Sequence, residues 1–326
     1  MEQGKGEKKE TGWKGSEEFK ILKKLIEGKY LYAFIIISFI LFLLTKSPIF
    51  SILSVMFVLI LLIGESVIGT AEHGAKKGLV EIGVAVAAAF VIWYGMGFVL
   101  STNAPLNAIV SCSMLPNLER GDLVILQGAE PKGVDVSVSE FDFTKISASV
   151  QGLGEFETNI SLAQYCGYFP SEAPCRAYLE APEKLTEKYG PIEFKHGWCT
   201  SLIQGAQQKV PCVKSVVVNG KEYAYGHLGD TIVYTTLPVD QFSASTGPKE
   251  IIHRVFMKVH AGGQTYYLTK GDNNDRFDLQ YNNAPATPNR TAGKVVFRVP
   301  YLGYFKLFLF GYISDPLGCD RYFTNF

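Results

Sequence analysis

The stretch Ser111-Cys112-Ser113-Met114-Leu115-Pro116, followed by Gly121-Asp122-Leu123-Val124, decides how the rest of the chain is read. It begins 11 residues after Leu100, which ends the 19-residue apolar run Ile82–Leu100. Two serines one residue apart are a weak pattern alone. Their weight comes from three further boxes, in order: Gly229-Asp230-Thr231-Ile232-Val233, Ile251-Ile252-His253-Arg254-Val255, and Lys270-Gly271-Asp272-Asn273-Asn274 with Asp278 beyond.

Upstream of Ser111 the chain is built for a membrane. Tyr30–Leu44 holds 15 uncharged residues, Ser47–Gly64 holds 18, and Ile82–Leu100 holds 19. A helix crosses a bilayer with about 20 apolar residues. The second and third runs fit, and Lys29 and Lys46 can snorkel from the ends of the shorter first run. No polar face is left for water, which argues against buried soluble helices. A cleaved leader is also disfavoured, because more apolar runs follow and no small-residue cleavage pattern closes the first. Residues 1–28 form a charged tail containing Lys5, Lys8, Lys9, Lys14, Lys20, Lys23 and Lys24, and Lys76 and Lys77 lie between the second and third runs. The positive-inside rule then predicts a cytoplasmic N-terminus, a membrane region over 29–100 with spans near 30–44, 47–64 and 82–100, and everything after Leu100 outside.

Downstream the texture changes to short β-type runs separated by Gly, Pro, Asn and Asp. Leu123–Leu126, Thr231–Tyr234, Ile251–Val259, Thr265–Thr269 and Lys294–Val299 read as strands. A mainly β outer domain is therefore expected over 101–127 and 227–300. Residues 128–226 interrupt it with Ser, Glu, Pro and Lys and hold Cys166, Cys175, Cys199 and Cys212. An outside location permits disulfides, of which Cys166–Cys175 with Cys199–Cys212 is the simplest pairing. This insertion reads as stapled rather than core-rich, and its His196, like His227, as a solvated or capping residue. Residues 301–326 read as an apolar C-terminal segment whose run Tyr301–Ile313, 13 residues long, is too short to span and suits the interface. Asn159-Ile160-Ser161 and Asn289-Arg290-Thr291 are weak glycosylation sequons.

Composition excludes several function classes. Lys+Arg and Asp+Glu are both 31, so no global field points to nucleic acid. The five His do not cluster, and neither a CxxC pair nor HExxH occurs, so neither a metal nor a cofactor is expected.

The four boxes resemble the type I signal peptidases. That family carries a Ser-Gly-Ser-Met-x-Pro nucleophile motif, a Gly-Asp strand, a second Gly-Asp strand, an apolar strand ending in Lys or His before Arg-Val, and Gly-Asp-Asn. His253 stands where bacterial members carry Lys, which is similar to the Ser-His-Asp branch of archaea and the endoplasmic reticulum. Tyr301-Leu302-Gly303-Tyr304 is similar to that branch's final stretch. The resemblance covers about 79–128 and 226–312. It implies a membrane-anchored, signal-peptidase-like β catalytic domain with a large insertion. It also implies Ser113 as nucleophile, His253 as base, Asp278 as triad acid, Asp272 as supporter and the Ser111 hydroxyl as oxyanion donor. The implied partners are signal-peptide-bearing preproteins with small residues one and three before the cut, membrane lipid and the secretion translocon.

The residues by themselves fit this chemistry without fixing every role. A serine needs a base, and neutral His serves near pH 7. A carboxylate must then orient the imidazole. Asp272, Asp275 and Asp278 are all candidates, and an Asp/Asn-rich turn also commonly bonds its own backbone, which is how Asp275 reads, as a solvated turn residue. Strand parity puts His253 on one face with Ile251, Val255, Met257 and Val259. Cys112 replaces the family's Gly and would cost about 1 kcal/mol if that position needs positive φ. Cys112 is set aside as a nucleophile because Ser113-Met114-x-Pro116 fixes the register. Two readings from other classes remain: a LexA-type self-cleaving regulator, which expects a Lys base and a DNA-binding domain, and a non-catalytic membrane scaffold acting through 128–226.

Overall fold

A computed structural model describes residues 16–45, 47–73, 75–226, 228–243, 249–309, 316 and 318–325. His227, and with it the expectation made for it, lies outside these. The chain divides into two compact units, Met1–Gly95 with Phe305–Ile313, and Met96–Tyr304 with Ser314–Phe326.

The first unit holds helices α1 (Glu17–Glu27), α2 (Tyr30–Thr45), α3 (Pro48–His73) and most of α4 (Ala75–Leu100). Ser16 starts α1 by accepting the Phe19 N–H at 3.2 Å, and Glu17 and Glu18 suit the positive helix start. Two segments are long and apolar enough to cross a membrane, Ile52–Thr70 and Gly78–Leu100. Val84, Phe90, Val91 and Phe98 of the second are exposed, as on a helix whose apolar sides face lipid. Three spans were expected. Helix α2 has only 16 residues, about 24 Å at 1.5 Å per residue, and falls short of a bilayer core of about 30 Å. It reaches the required length only if joined to α1 across a 63° bend, as a broken span or re-entrant pair.

The second unit is mainly β. Its strands are β1 (Leu106–Ala108), β2 (Leu123–Gln127), β3 (Val134–Ser137), β4 (Ile146–Val150), β5 (Gly154–Glu157), β6 (Leu185–Tyr189), β7 (Ile192–Ile203), β8 (Ala206–Val218), β9 (Lys221–Ala224), β10 (Thr231–Thr235), β11 (Glu250–Ala261), β12 (Gln264–Lys270), β13 (Thr291–Val299) and β14 (Arg321–Asn325). Short helices α5 (Leu162–Tyr168) and α6 (Ala173–Glu180) lie between β5 and β6; α7 (Tyr304–Leu309), which follows β13 in the chain, belongs from Phe305 onward to the first unit. One sheet runs β1-β2-β13-β10-β11-β12, with β3 parallel to β11. The other runs β5-β4-β6-β7-β8-β9, with β14 antiparallel to β7. Together with the apolar helices this is compatible with a membrane-anchored β domain.

A single core joins the two sheets. Met257, Val259 and Leu268 of the first pack with Tyr189, Phe194, Val213 and Val216 of the second. Phe277 sits at its centre, with ring centroids 5.1 Å from Phe194, 5.5 Å from Phe256 and 5.8 Å from Tyr225. The expected staples Cys166–Cys175 and Cys199–Cys212 are present, but the expectation of a core-poor insertion is corrected, because residues from 128–226 supply about half of a shared apolar core. The C-terminal segment differs too. Tyr304–Leu309 is a short helix, but Arg321–Asn325 is a strand of the second sheet rather than part of an interfacial run. Residues 310–313 of the expected apolar run lie outside the described residues.

All six cysteines pair, as Cys112–Cys319, Cys166–Cys175 and Cys199–Cys212. Cys112 does not have positive φ, so the backbone strain considered for it does not arise.

Candidate active site

The Ser113 loop is built from the chain's own backbone. The Ile109 N–H donates to the Asp122 carbonyl at 2.9 Å, and the Gly121 N–H returns a bond to the Ile109 carbonyl at 2.9 Å. Met114 and Leu118 turn inward into a small core with Val124 and Val233. Asp122, buried, accepts the Glu119 N–H at 2.8 Å and pairs with Arg298 at 3.3 Å. The first Gly-Asp box therefore shapes the loop. The second does similar work: Asp230 ties Lys132 N–H at 2.9 Å and Lys294 Nζ at 3.0 Å. Gly229 is required there, since a Cβ would lie 1.6 Å from the Val255 carbonyl oxygen.

His253 sits on β11 opposite Ile232 of β10. Parity holds only as far as Val255. A bulge between Val255 and Met257 inserts Phe256, and beyond it Met257 and Val259 enter the core shared by the sheets, while Ile251 and Val255 pack with Tyr234 and Tyr267. An extra residue in a strand moves everything after it to the other face. The expected common face for His253, Met257 and Val259 is corrected accordingly.

Ser113, His253 and Asp278 form a line. Ser113 Oγ lies 3.0 Å from His253 Nε2, and His253 Nδ1 lies 2.7 and 2.8 Å from the two Asp278 carboxylate oxygens. His253 and Asp278 are both buried, with side chains 5% and 2% exposed, so their attraction is little screened by water. Phe277, locked in the shared core, fixes Asp278 at the start of a 3-10 turn over Asp278–Tyr281. The hydroxyls of Tyr234 and Thr269 donate to Asp278 Oδ2 at 2.8 and 2.6 Å. Burial, and after it the neighbouring Asp278, pushes the Tyr234 phenol well above its ordinary range, so its hydroxyl stays a donor. Ser111 Oγ lies 3.2 Å from Ser113 Oγ.

Asp272 is not in this line. It is fully buried and held by Arg254 Nε and Nη2 at 2.8 and 2.7 Å and by Asn117 Nδ2 at 2.8 Å. This fork is the geometry that suits a guanidinium to a carboxylate. Asp275, expected as a solvated turn residue, is instead largely enclosed. It accepts from Tyr178 at 2.7 Å and from Tyr281, and it pairs with Arg276 at 3.4 Å. Burial alone would raise its carboxyl, but Arg276 and the two phenols outweigh that and hold it below the usual range. His196, expected to be solvated, is also buried. Its Nε2 is 3.7 Å from Glu187, and burial drives its imidazole down to about 4.

Sequence reading did not single out Tyr234, Thr269, Asn273 or Lys270. The first two sit in segments that read simply as strands. Asn273 and Lys270 belong to a quoted box, yet nothing local reveals what they touch. Lys270 is fully buried, with Nζ 4.1 Å from the Tyr225 ring centroid. Burial pulls its ammonium down to about 7 against the opposing pull of Asp272, Asp275 and Asp278. Among the described residues no group of three or more His, Cys, Asp or Glu has the arrangement of a metal site.

No family model matches the chain. It is 27% identical over 209 residues to an uncharacterized protein of Methanocaldococcus jannaschii, which covers 62% of this chain and 82% of that protein. It is also 34% identical over 58 residues to the signal peptidase complex catalytic subunit of Komagataella phaffii, covering 18% of this chain and 33% of that subunit. The chain thus has a short, partial similarity to a signal peptidase subunit.

Proposed function

We propose that this chain is a membrane-anchored serine endopeptidase that removes signal peptides from secreted preproteins by Ser-His-Asp acyl transfer. The observation that carries the reading is the hydrogen-bonded line Ser113 Oγ, His253 Nε2, His253 Nδ1 and Asp278. The short similarity to a signal peptidase catalytic subunit supports it.

In this mechanism Ser113 Oγ attacks the scissile carbonyl as its proton passes to His253 Nε2. Asp278 accepts from Nδ1–H, fixes the tautomer and stabilises the imidazolium. The hydroxyls of Tyr234 and Thr269 both donate to Asp278 Oδ2 and keep the carboxylate in place. The developing oxyanion takes donors from the Ser111 hydroxyl and the Ser113 N–H. His253 then protonates the leaving amine, and an activated water hydrolyses the acyl-enzyme. Asp272 acts through Arg254 as a structural supporter.

The substrate class follows from the anchor. Ser113 is 13 residues beyond Leu100, at most about 45 Å along an extended chain. A signal peptide leaves its apolar segment in the bilayer with its cleavage site near the outer surface. The positive-inside rule puts the N-terminus in the cytoplasm and the β unit outside. Preproteins, lipid and the secretion translocon are the corresponding partners.

The test is preprotein cleavage by the full chain in phospholipid vesicles. His253→Ala is expected to abolish cleavage, and His253→Lys to give little or no rescue, because the site holds a carboxylate where a buried lysine would pair and stay charged. Full cleavage by correctly inserted His253→Ala protein would overturn the proposal.

A further inference from the structure

The loop that carries Ser113 has no regular secondary structure of its own, yet a hydroxyl that must meet a base at 3.0 Å needs a fixed backbone. Two ties hold it from outside, and both lead to the same place. One is covalent: Cys112, the neighbour of Ser113, is bonded to Cys319, 207 residues later. The other runs through Asn273. Its N–H donates to the Ser113 carbonyl at 2.7 Å and its Nδ2 to the Cys112 carbonyl at 3.0 Å. The same Nδ2 reaches the carbonyls of Gly318 at 3.3 Å and Arg321 at 2.7 Å, and its Oδ1 accepts the Phe323 N–H at 3.2 Å. Gly271 lets the acidic box come this close, since a Cβ there would sit 2.6 Å from the Ser113 carbonyl oxygen.

The far end of the tie is itself anchored. Strand β14 is paired with β7, and its Phe323 packs on the Cys199–Cys212 disulfide that joins β7 to β8. A segment of only eight residues, 318–325, thus connects the backbone on both sides of the Cys112–Ser113 peptide to the second sheet.

We propose that residues 318–325 are a positioning strap for the nucleophile, in which Cys319 and Asn273 are positioning residues that set kcat rather than substrate affinity. This rests on the reading of Ser113 as the nucleophile. The bond is reachable: Cys112 is buried, but Cys319 is only half-buried. A dithiol reagent can therefore deliver two electrons and two protons, leaving thiols on Cys112 and Cys319 and converting itself to a disulfide. Oxidised glutathione reverses the step by taking up the same electrons and protons.

The experiment measures kcat and KM for preprotein cleavage by the full chain in phospholipid vesicles. Cys319→Ala and Asn273→Ala are each expected to lower kcat about tenfold or more while KM stays within about twofold, the mark of a displaced reacting group. Replacing Cys166 and Cys175 together with Ala is expected to leave kcat within about twofold. Dithiol treatment of folded wild type should reproduce the fall, oxidised glutathione should restore the rate, and Cys319→Ala protein should respond to neither. Wild-type kcat that persists after alkylation proves Cys112 and Cys319 reduced would overturn the proposal, as would full kcat in both variants. A Cys319→Ala chain that fails to insert leaves the reduction experiment to decide. Failure of the protease reading shows itself separately, as equal cleavage by wild type and Ser113→Ala.

Discussion

The β unit contains two buried histidines beside buried carboxylates, and they have opposite fates. In the first sheet His253 Nδ1 meets Asp278 at 2.7 Å and its Nε2 meets a serine hydroxyl at 3.0 Å. In the second sheet His196 Nε2 stands 3.7 Å from Glu187, beyond hydrogen-bond reach. Glu187 is already taken up by Gln280 at 2.6 Å, Tyr189 at 2.9 Å and the Leu162 N–H at 3.0 Å. Asp278 also has neutral donors, but both go to Oδ2, and its two oxygens remain 2.7 and 2.8 Å from His253 Nδ1. In the proposed mechanism, burial and a nearby carboxylate are therefore not enough to poise a base. Both ring nitrogens must be engaged, one by the acid and one by the group to be deprotonated. His196, kept neutral by burial, serves as packing, its ring edge-on to Tyr178 at 5.6 Å.

The contrast can be broken most sharply at the acid. Asp278→Asn keeps the shape of the site but offers an amide to Nδ1 and favours the wrong tautomer, so kcat is expected to fall by about 10⁴-fold. Steady-state cleavage kinetics check this, and a loss under tenfold would remove Asp278 from the line. Next in size is Ser111→Ala. Loss of one oxyanion donor is expected to cost about 10²- to 10³-fold in kcat with little change in KM. An unchanged kcat would make Ser111 an ordinary loop serine.

The smallest effect is at His196, where a pH signature replaces a rate effect. Its folded value, about 4, lies below the ordinary 6.5 because burial disfavours the charged ring. Glu187 and Asp275 oppose that shift and Arg276 adds to it. Between those values the unfolded chain binds a proton that the folded chain does not. Stability is thus intact above about pH 6.5 and is lost as the pH falls toward 4, by at most about 1.4 kcal/mol per pH unit. His196→Gln should keep kcat within about threefold and flatten this acid limb, measured as unfolding midpoints of the detergent-solubilised chain. A variant with the wild-type slope would place the acid sensitivity elsewhere.

Much of the β architecture was legible because it is local. The strands expected around Leu123–Leu126, Thr231–Tyr234 and Thr265–Thr269 lie within β2, β10 and β12, and their apolar content signals burial directly. The candidate residues stand in ordered boxes, and the structure brings Ser113, His253 and Asp278 together while giving Asp272 to Arg254. What stayed hidden is non-local. No feature of Phe256 announces the bulge that turns Met257 and Val259 to the other face. The Cys112–Cys319 bond joins positions 207 apart, and spacing carries no information at that range. The polar texture of 128–226 masked its core, because Phe194 and Val213 are buried in a cluster shared with Met257, Val259, Leu268 and Phe277, which are distant in sequence. Asp275 and His196 misled for the same reason, since burial by distant elements leaves no mark on neighbouring residues.

The central claim is that Ser113 is the nucleophile of a signal-peptide-removing protease. Its most direct measurement is cleavage of a preprotein by wild type and Ser113→Ala, both reconstituted in phospholipid vesicles, with the product's new N-terminus read by mass spectrometry. The account predicts one cut by wild type after a residue with a small side chain, and none by Ser113→Ala despite correct insertion. The same cut at the same rate by Ser113→Ala would contradict it.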